Sequence, residues 1–145
     1  MARVDFYILD TPPGPESERF ACRLAARAFA ADHRVYVLVE DPQRAEALDE
    51  LLWTFSDVSF VPHARVASPD ADAAPVLIGP GSTAPAGCTV TLNLGEAAVE
   101  PAGGDERILE VIAADPVDKA AGRERYRHYQ NAGHLLETHR VGSRG

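Results

Sequence analysis

Short apolar runs alternate with helical segments along the first part of the chain. Residues 4–9 and 35–39 are mostly apolar and rich in strand formers, which predicts two buried strands. Between them, apolar residues recur at helical spacing from Glu16 to Ala31, which predicts an amphipathic helix. The loop between the first strand and this helix is rich in proline and contains one glycine, Gly14.

A second helix is predicted to begin at Asp41 and Pro42, since Asp is a favoured N-cap and Pro a favoured first helical residue. It ends near Phe55, and a short strand is predicted around residues 58–61. The order strand, helix, strand, helix, strand predicts a parallel sheet with right-handed crossovers.

The second half of the chain has shorter apolar runs separated by loops. Residues 64–75 are rich in Ala, Asp and Pro and predict an exposed loop. Residues 76–78 and 89–94 predict strands. Residues 107–113 fit either a strand or a short helix, and a strand is favoured.

A last helix is predicted over residues 117–132, opened by Asp115 and Pro116 and ended by Gly133. We therefore expect one α/β domain over residues 1–141, doubly wound in three layers around a mostly parallel central sheet. It would be Rossmann-like without a nucleotide-binding motif. Residues 142–145 are expected to be a disordered tail.

Composition and charge narrow the function classes. The 145 residues carry a net charge of −8, which argues against a whole surface that grips nucleic acid. No apolar run approaches the roughly 20 residues that span a bilayer, and no signal peptide is evident, so we expect a cytoplasmic protein without membrane contact. Cys22 and Cys88 are expected to be reduced thiols.

Catalytic, cofactor and metal signatures are missing from the sequence. Neither the loop before Pro15 nor the loop around Gly79 has the glycine pattern of a phosphate-binding loop. No zinc spacing joins the histidines and cysteines, and no nucleophilic serine has an evident base partner. We expect no catalytic residues, no cofactor and no metal.

Two features have open interpretations. Trp53, the single tryptophan, lies where a helix ends and is followed by Phe60 and His63, which indicates either core packing or an anchor for another protein. His63 on its own is more readily a packing or hydrogen-bonding residue at a strand end. The last helix carries a basic and aromatic face, either simply solvated or suited to an anionic ligand with an apolar part. That face consists of Lys119, Arg123, Tyr126, Arg127 and Gln130, with Tyr129 beside it.

These residues and their order resemble the chi subunit of bacterial DNA polymerase III over nearly the whole chain. The blocks L-x-x-L-W followed by S-F-V-P-H, and R-E-R-Y-R-x-Y, carry most of the resemblance. The loops 64–74 and 95–105 depart from it, and the segment before Arg123 looks short. The matching segments are Val4–Leu9, Ala21–Ala25, Arg34–Val37, Leu48–Trp53, Ser59–His63, Pro75–Ile78, Leu92–Leu94, Gly122–Tyr129 and Ala132–Gly133.

The resemblance implies a non-catalytic adaptor of DNA replication. Such a subunit joins the psi subunit of the clamp loader to the acidic C-terminal tail of the single-stranded DNA-binding protein, and so meets DNA only indirectly. Carried over to this chain, Trp53 and Phe60, with His63 nearby, would face psi or another partner such as a helicase. Arg123 would hold the carboxylate at the end of the tail. Tyr126 would flank a pocket for its last aromatic side chain, and Arg127 would meet its acidic residues.

Two alternatives stay open at this point. One is a nucleotide-dependent enzyme of Rossmann-like fold. The other is direct binding of single-stranded nucleic acid by the Arg and Tyr helix.

Overall fold

The computed structural model describes residues 2–55, 61–69, 71–101 and 106–142. Its strands and helices follow the alternation of apolar runs and amphipathic segments. The strands are β1 (Arg3–Leu9), β2 (Val35–Leu38), β3 (His63–Arg65), β4 (Val76–Gly79), β5 (Val90–Asn93), β6 (Arg107–Ile112) and β7 (Leu135–Val141). The helices are α1 (Pro15–Ala30), α2 (Pro42–Thr54) and α3 (Pro116–Asn131), with a 3-10 turn at Ala71–Ala73.

The seven strands form one sheet in the order β3-β4-β2-β5-β6-β1-β7. Every pair is parallel, and β1 lies between β6 and β7, with Arg3 opposite both Arg107 and Leu135. The predicted α/β class with a doubly wound, Rossmann-like sheet is confirmed, and the sheet is fully parallel rather than mostly so.

Each face of the sheet buries its own apolar layer. On one face α1 and α2 pack Leu24, Leu48 and Leu52 against β2, β4 and β5. On the other face α3 and neighbouring loops cover a layer that includes Phe6 and Tyr129. Each such buried side chain contributes about 1.5–3 kcal/mol, so the two layers hold the helices against the sheet.

The predicted helix ends are confirmed by their capping contacts. The Asp41 carboxylate accepts a hydrogen bond from the Gln43 N–H at 3.0 Å, and Asp115 accepts from the first turn of α3. Gly133 has φ +84°, a conformation that favours glycine just after a helix. Residues 107–112 form a strand, as favoured.

Three sequence predictions need correction. Val61 is not in a strand: that strand begins at His63, and the rest of the predicted strand lies outside the described residues. The expected loop over residues 64–75 begins within β3 and contains the buried Ala64. The sequence assigned no element to β7, yet β7 extends the sheet beyond β1. The polar residues of β7 left no recognisable strand pattern, because an edge strand need not be apolar.

Candidate functional site

A groove lies between α3 and the β1–β7 end of the sheet, with a volume of about 860 Å³; we call it the α3 groove. Its floor is apolar and includes Phe6 and Ile112. Tyr126 is half-buried and its ring lies 5.2 Å from that of Phe6. Arg123 lines the same groove and is exposed, so the structure brings Arg123 and Tyr126 together as the sequence placed them.

Three cations line the α3 groove, namely Lys119 and Arg123 from α3 and Arg140 from β7. None of them forms an ion pair with another residue that the structure describes. Arg127 is different, since it is not part of the lining and pairs with Glu124 at 2.8 Å. The sequence did not indicate Arg140 as a site residue, because β7, the strand that carries it, was not predicted.

The inner side of α3 is fixed by a buried polar network centred on Glu110 of β6. Arg125 Nε donates to Glu110 Oε1 at 2.8 Å, and the Tyr129 hydroxyl donates to Oε2 at 2.6 Å. Asn93 Nδ2 also donates to Oε2, at 2.8 Å, and the Val99 N–H donates to the Tyr129 hydroxyl. Strands β5 and β6 and helix α3 are therefore joined at one carboxylate, and the loop before β6 is joined to it through the Tyr129 hydroxyl.

This network changes the interpretation of the basic helix. Arg125 and Tyr129 are buried and face the sheet, so they do not belong to the exposed basic and aromatic face. Burial raises the pKa of Glu110, while its Arg125, Tyr129 and Asn93 donors oppose the rise. Burial also raises the pKa of the Tyr129 hydroxyl, and the adjacent Glu110 carboxylate adds to that rise.

Gly122 explains how α3 sits so close to the groove floor. A Cβ at this position would collide with Ile112, meeting its Cδ1 atom and lying 3.0 Å from its Cγ1. The missing side chain lets the helix approach β6, and the adjacent Arg123 then stands at the rim of the groove.

A second exposed aromatic lies at the other edge of the sheet. Trp53, at the end of α2, is 52% exposed, and its ring centroid is 4.4 Å from that of His63 on β3. His63 is buried: its Nδ1 lies 2.7 Å from the Val61 carbonyl oxygen and its Nε2 lies 2.8 Å from that of Asp49. We call Trp53 and His63 the Trp53 surface.

The structure places the residues predicted for this second site differently. Trp53 is on the surface rather than in the core, and its ring packs against that of the buried His63. His63 is also the hydrogen-bonding residue that the sequence indicated. Phe60 lies outside the described residues.

The carboxyl ends of the central strands, where Rossmann-like folds bind nucleotides, form a cleft of about 730 Å³. Arg44 crosses it, pairing with Glu18 at 2.6 Å and donating to the Leu94 carbonyl oxygen at 2.8 Å. The N-termini of α2 and α3 are capped by their own aspartates. Asp41 thus engages the Gln43 N–H, and Asp115 engages the N–H groups of Val117 and Asp118, so these donors are not available to a phosphate.

Asp5, Glu137 and His139 are the described group that could present ligand atoms to a metal. Asp5 is fully buried, and its carboxylate accepts from Arg107 Nε at 2.9 Å and from Arg3 at 3.3 Å. Burial pushes the pKa of Asp5 up, but hydrogen bonds from His139, Arg107 and Arg3 outweigh it and hold the pKa below its usual value. The group fits an ionic cluster that ties β1 to β6 and β7.

No helix among the described residues has the length and apolar character needed to cross a bilayer. Helices α1, α2 and α3 have amphipathic or polar sequences.

Comparison with solved structures supports the fold. The chain superposes on "The crystal structure of T4 UvsW" with a TM-score of 0.70 over 97% of this chain and 42% of that one. The two sequences are 9% identical, so this likeness concerns the fold alone.

The sequence of this chain is similar to those of one protein family along almost its whole length. The family model described as "DNA polymerase III chi subunit, HolC" matches residues 1–137. The DNA polymerase III subunit chi of Pseudomonas aeruginosa is 32% identical over 141 residues, covering 97% of this chain and 98% of the relative. The subunit chi of Escherichia coli is 29% identical over 143 residues, covering 95% and 97%. This chain belongs to the family of DNA polymerase III chi subunits, which are accessory subunits in DNA replication.

Proposed function

We propose that this chain is a non-catalytic cytoplasmic adaptor that links the clamp loader, through psi, to the acidic C-terminal tail of the single-stranded DNA-binding protein. The observation that carries the proposal is the placement of two different surfaces at opposite edges of one sheet. The α3 groove adjoins β7, and the Trp53 surface adjoins β3. Six strand spacings separate these edges, about 29 Å, so two partners have room to bind at once.

The chemistry of the α3 groove suits a peptide that ends in an aromatic residue and a free carboxylate. Guanidinium groups bind carboxylates through paired hydrogen bonds, which is the role proposed for Arg123. The floor at Phe6 and Ile112, flanked by Tyr126, offers apolar contact to a terminal aromatic ring. Arg127 is exposed on the next turn, and acidic residues of the peptide would replace its exposed pair with Glu124.

The expected affinity follows from these contacts. A charge-assisted hydrogen bond contributes about 1.5–3 kcal/mol, and one buried aromatic side chain a similar amount, about 1.5–3 kcal/mol. Together these two contacts give about 3–6 kcal/mol, so even before the cost of ordering the peptide the dissociation constant lies between about 40 μM and 6 mM. Binding should weaken as salt rises, because much of it is electrostatic. Several tails on one partner would raise the effective affinity.

Titration calorimetry with an acidic peptide ending in phenylalanine tests the α3 groove. We expect binding to the wild type with a dissociation constant on the order of 0.1 mM, and at least tenfold weaker binding to Arg123→Ala. Arg19→Ala is the matched control, because Arg19 is an exposed arginine on α1 that lines neither this groove nor the cleft at the strand ends. No binding, or equal binding by the two variants, would refute the assigned groove.

The Trp53 surface is tested separately by pull-down. Trp53→Ala should lose psi, or an alternative partner such as a helicase, while its affinity for the peptide stays at the wild-type value. Since the ring is half-exposed, its removal should leave the fold intact. Tight binding of an oligonucleotide by the isolated chain, without any partner, would instead favour direct contact with single-stranded DNA.

A further inference from the structure

A second groove, of about 310 Å³, lies on the opposite face of the β1–β7 edge, against α1; we call it the α1 groove. Its aromatic walls are Tyr7 of β1 and Phe20 of α1, whose ring centroids are 5.7 Å apart. Arg23 and Arg27, one helical turn apart on α1, are exposed and line it, and the Arg23 guanidinium lies 5.8 Å from the Phe20 ring centroid. The α1 groove thus repeats the combination of cations and aromatic rings found in the α3 groove.

The two grooves are continuous around the end of the sheet. Leu9 and Asp10, at the end of β1, line both of them, and so do Val141 and Gly142, at the end of β7. A segment lying in the α3 groove can therefore pass over the end of β7 into the α1 groove without leaving the protein surface.

Charge distinguishes this continuous surface from the rest of an acidic protein. Five cations line the two grooves, against the two acids Asp10 and Glu16, which gives 5 − 2 = +3 in a chain of net charge −8. None of these five cations makes an ion pair within the described part of the chain, whereas Arg3, Arg44, Arg107 and Arg125 do. Cations without carboxylate partners favour an anionic occupant. The five are Arg23, Arg27, Lys119, Arg123 and Arg140.

We infer that the α1 groove is a second docking segment for the same acidic peptide, which receives the acidic residues upstream of the peptide's terminal aromatic. This inference rests on the proposed function of the α3 groove. The terminal carboxylate would sit at Arg123, the chain would cross Val141 and Gly142, and upstream carboxylates would pair with Arg23 and Arg27. An extended peptide rises about 3.3 Å per residue, so six residues beyond the terminal four cover about 20 Å.

Fluorescence anisotropy with three labelled peptides tests the inference on the full chain. The short peptide has four residues: an acidic residue that Arg127 would meet, followed by three residues that end in phenylalanine. The long peptide adds six upstream residues that include further acids, and the third peptide replaces those upstream acids by their amides. We expect the long peptide to bind about fivefold more tightly than the short one at low salt, as two exposed ion pairs would give. The third should bind like the short peptide.

The double variant Arg23→Ala/Arg27→Ala should bind the long peptide no better than the short one. Its affinity for the short peptide should stay at the wild-type value, which also shows that it is folded, and Arg19→Ala should retain the full gain. A long peptide that binds equally well to wild type and double variant overturns the inference while leaving the α3 groove standing. If Arg123→Ala leaves the short peptide's affinity unchanged, the proposed function itself fails.

Discussion

The buried ion pair between Glu110 and Arg125 gives the sharpest test of how α3 is held. The Arg125 side chain is 8% exposed and that of Glu110 fully buried. Arg125→Met keeps a long apolar stem but leaves the Glu110 carboxylate with only its Asn93 and Tyr129 donors. Removing one partner of a buried pair costs about 3–5 kcal/mol, a large part of the roughly 5–15 kcal/mol that a domain has in total.

Urea unfolding at pH 8 measures this loss. With a dependence of about 2 kcal/mol per molar urea, the unfolding midpoint of Arg125→Met should fall by about 2 M. Arg127→Met is the matched control, because Arg127 lies two residues beyond Arg125 on the same helix and forms an exposed pair with Glu124. Breaking this pair should lower the free energy of unfolding by less than about 1 kcal/mol. The double variant Glu110→Gln/Arg125→Met should recover most of the stability, because it leaves no unpaired charge buried.

The loss should also depend on pH. Burial already raises the pKa of Glu110, and without Arg125 it rises further. A raised pKa in the folded state means that folding is favoured when the carboxyl is protonated, and that this advantage is lost as pH rises. Arg125→Met should therefore cost less at pH 5 than at pH 8. An equal cost for Arg125→Met and Arg127→Met, or a double variant as unstable as the sum of its parts, would refute the reasoning.

Three further predictions concern other parts of the fold. Asp5→Asn should lower the free energy of unfolding at pH 7 by about 2 kcal/mol. Because the pKa of Asp5 is held below its usual value, the wild type should lose this advantage as pH falls below about 4, and urea unfolding across pH 3–7 would show the loss. Cys22 should resist an aromatic disulfide reagent at pH 8 until the protein unfolds, because burial raises the pKa of its thiol to about 12; rapid reaction in the native state would contradict this. Gly133→Ala should cost about 1 kcal/mol, since its φ is +84°, and an unchanged thermal midpoint would count against that strain.

The sequence predicted the central strands of the sheet, which are buried on both faces. Val35–Leu38 and Val76–Gly79 are fully buried and read as apolar runs, and the helix starts at Asp41 and Asp115 carried their own caps. β7 was missed because it is half-exposed at an edge, where polar residues such as Glu137 are tolerated.

The part of the site that lies on one helix was predictable from the sequence. Arg123 and Tyr126 share a helical face by spacing alone, so the sequence could bring them together. Arg125 lies in the same basic segment but off that face, and its spacing did not mark it as buried. Its buried role could have been suspected from Glu110, a lone acid within the apolar run of β6, since a buried carboxylate needs a donor. Arg140 had no such signal, because its place in the groove depends on pairing between β7 and β1, which no local pattern encodes.

That pairing also governs when the protein becomes functional during its own synthesis. β1 is synthesised well before both its neighbours, because Arg3 pairs with Arg107 of β6 and Leu135 of β7, each more than a hundred positions later. Contacts so distant along the chain are slow to form. Until they do, both edges of β1 lack their partner strands, and the floor and far wall of the α3 groove do not exist. A nascent or truncated chain without β6 and β7 should thus lack the groove that we propose for the acidic peptide.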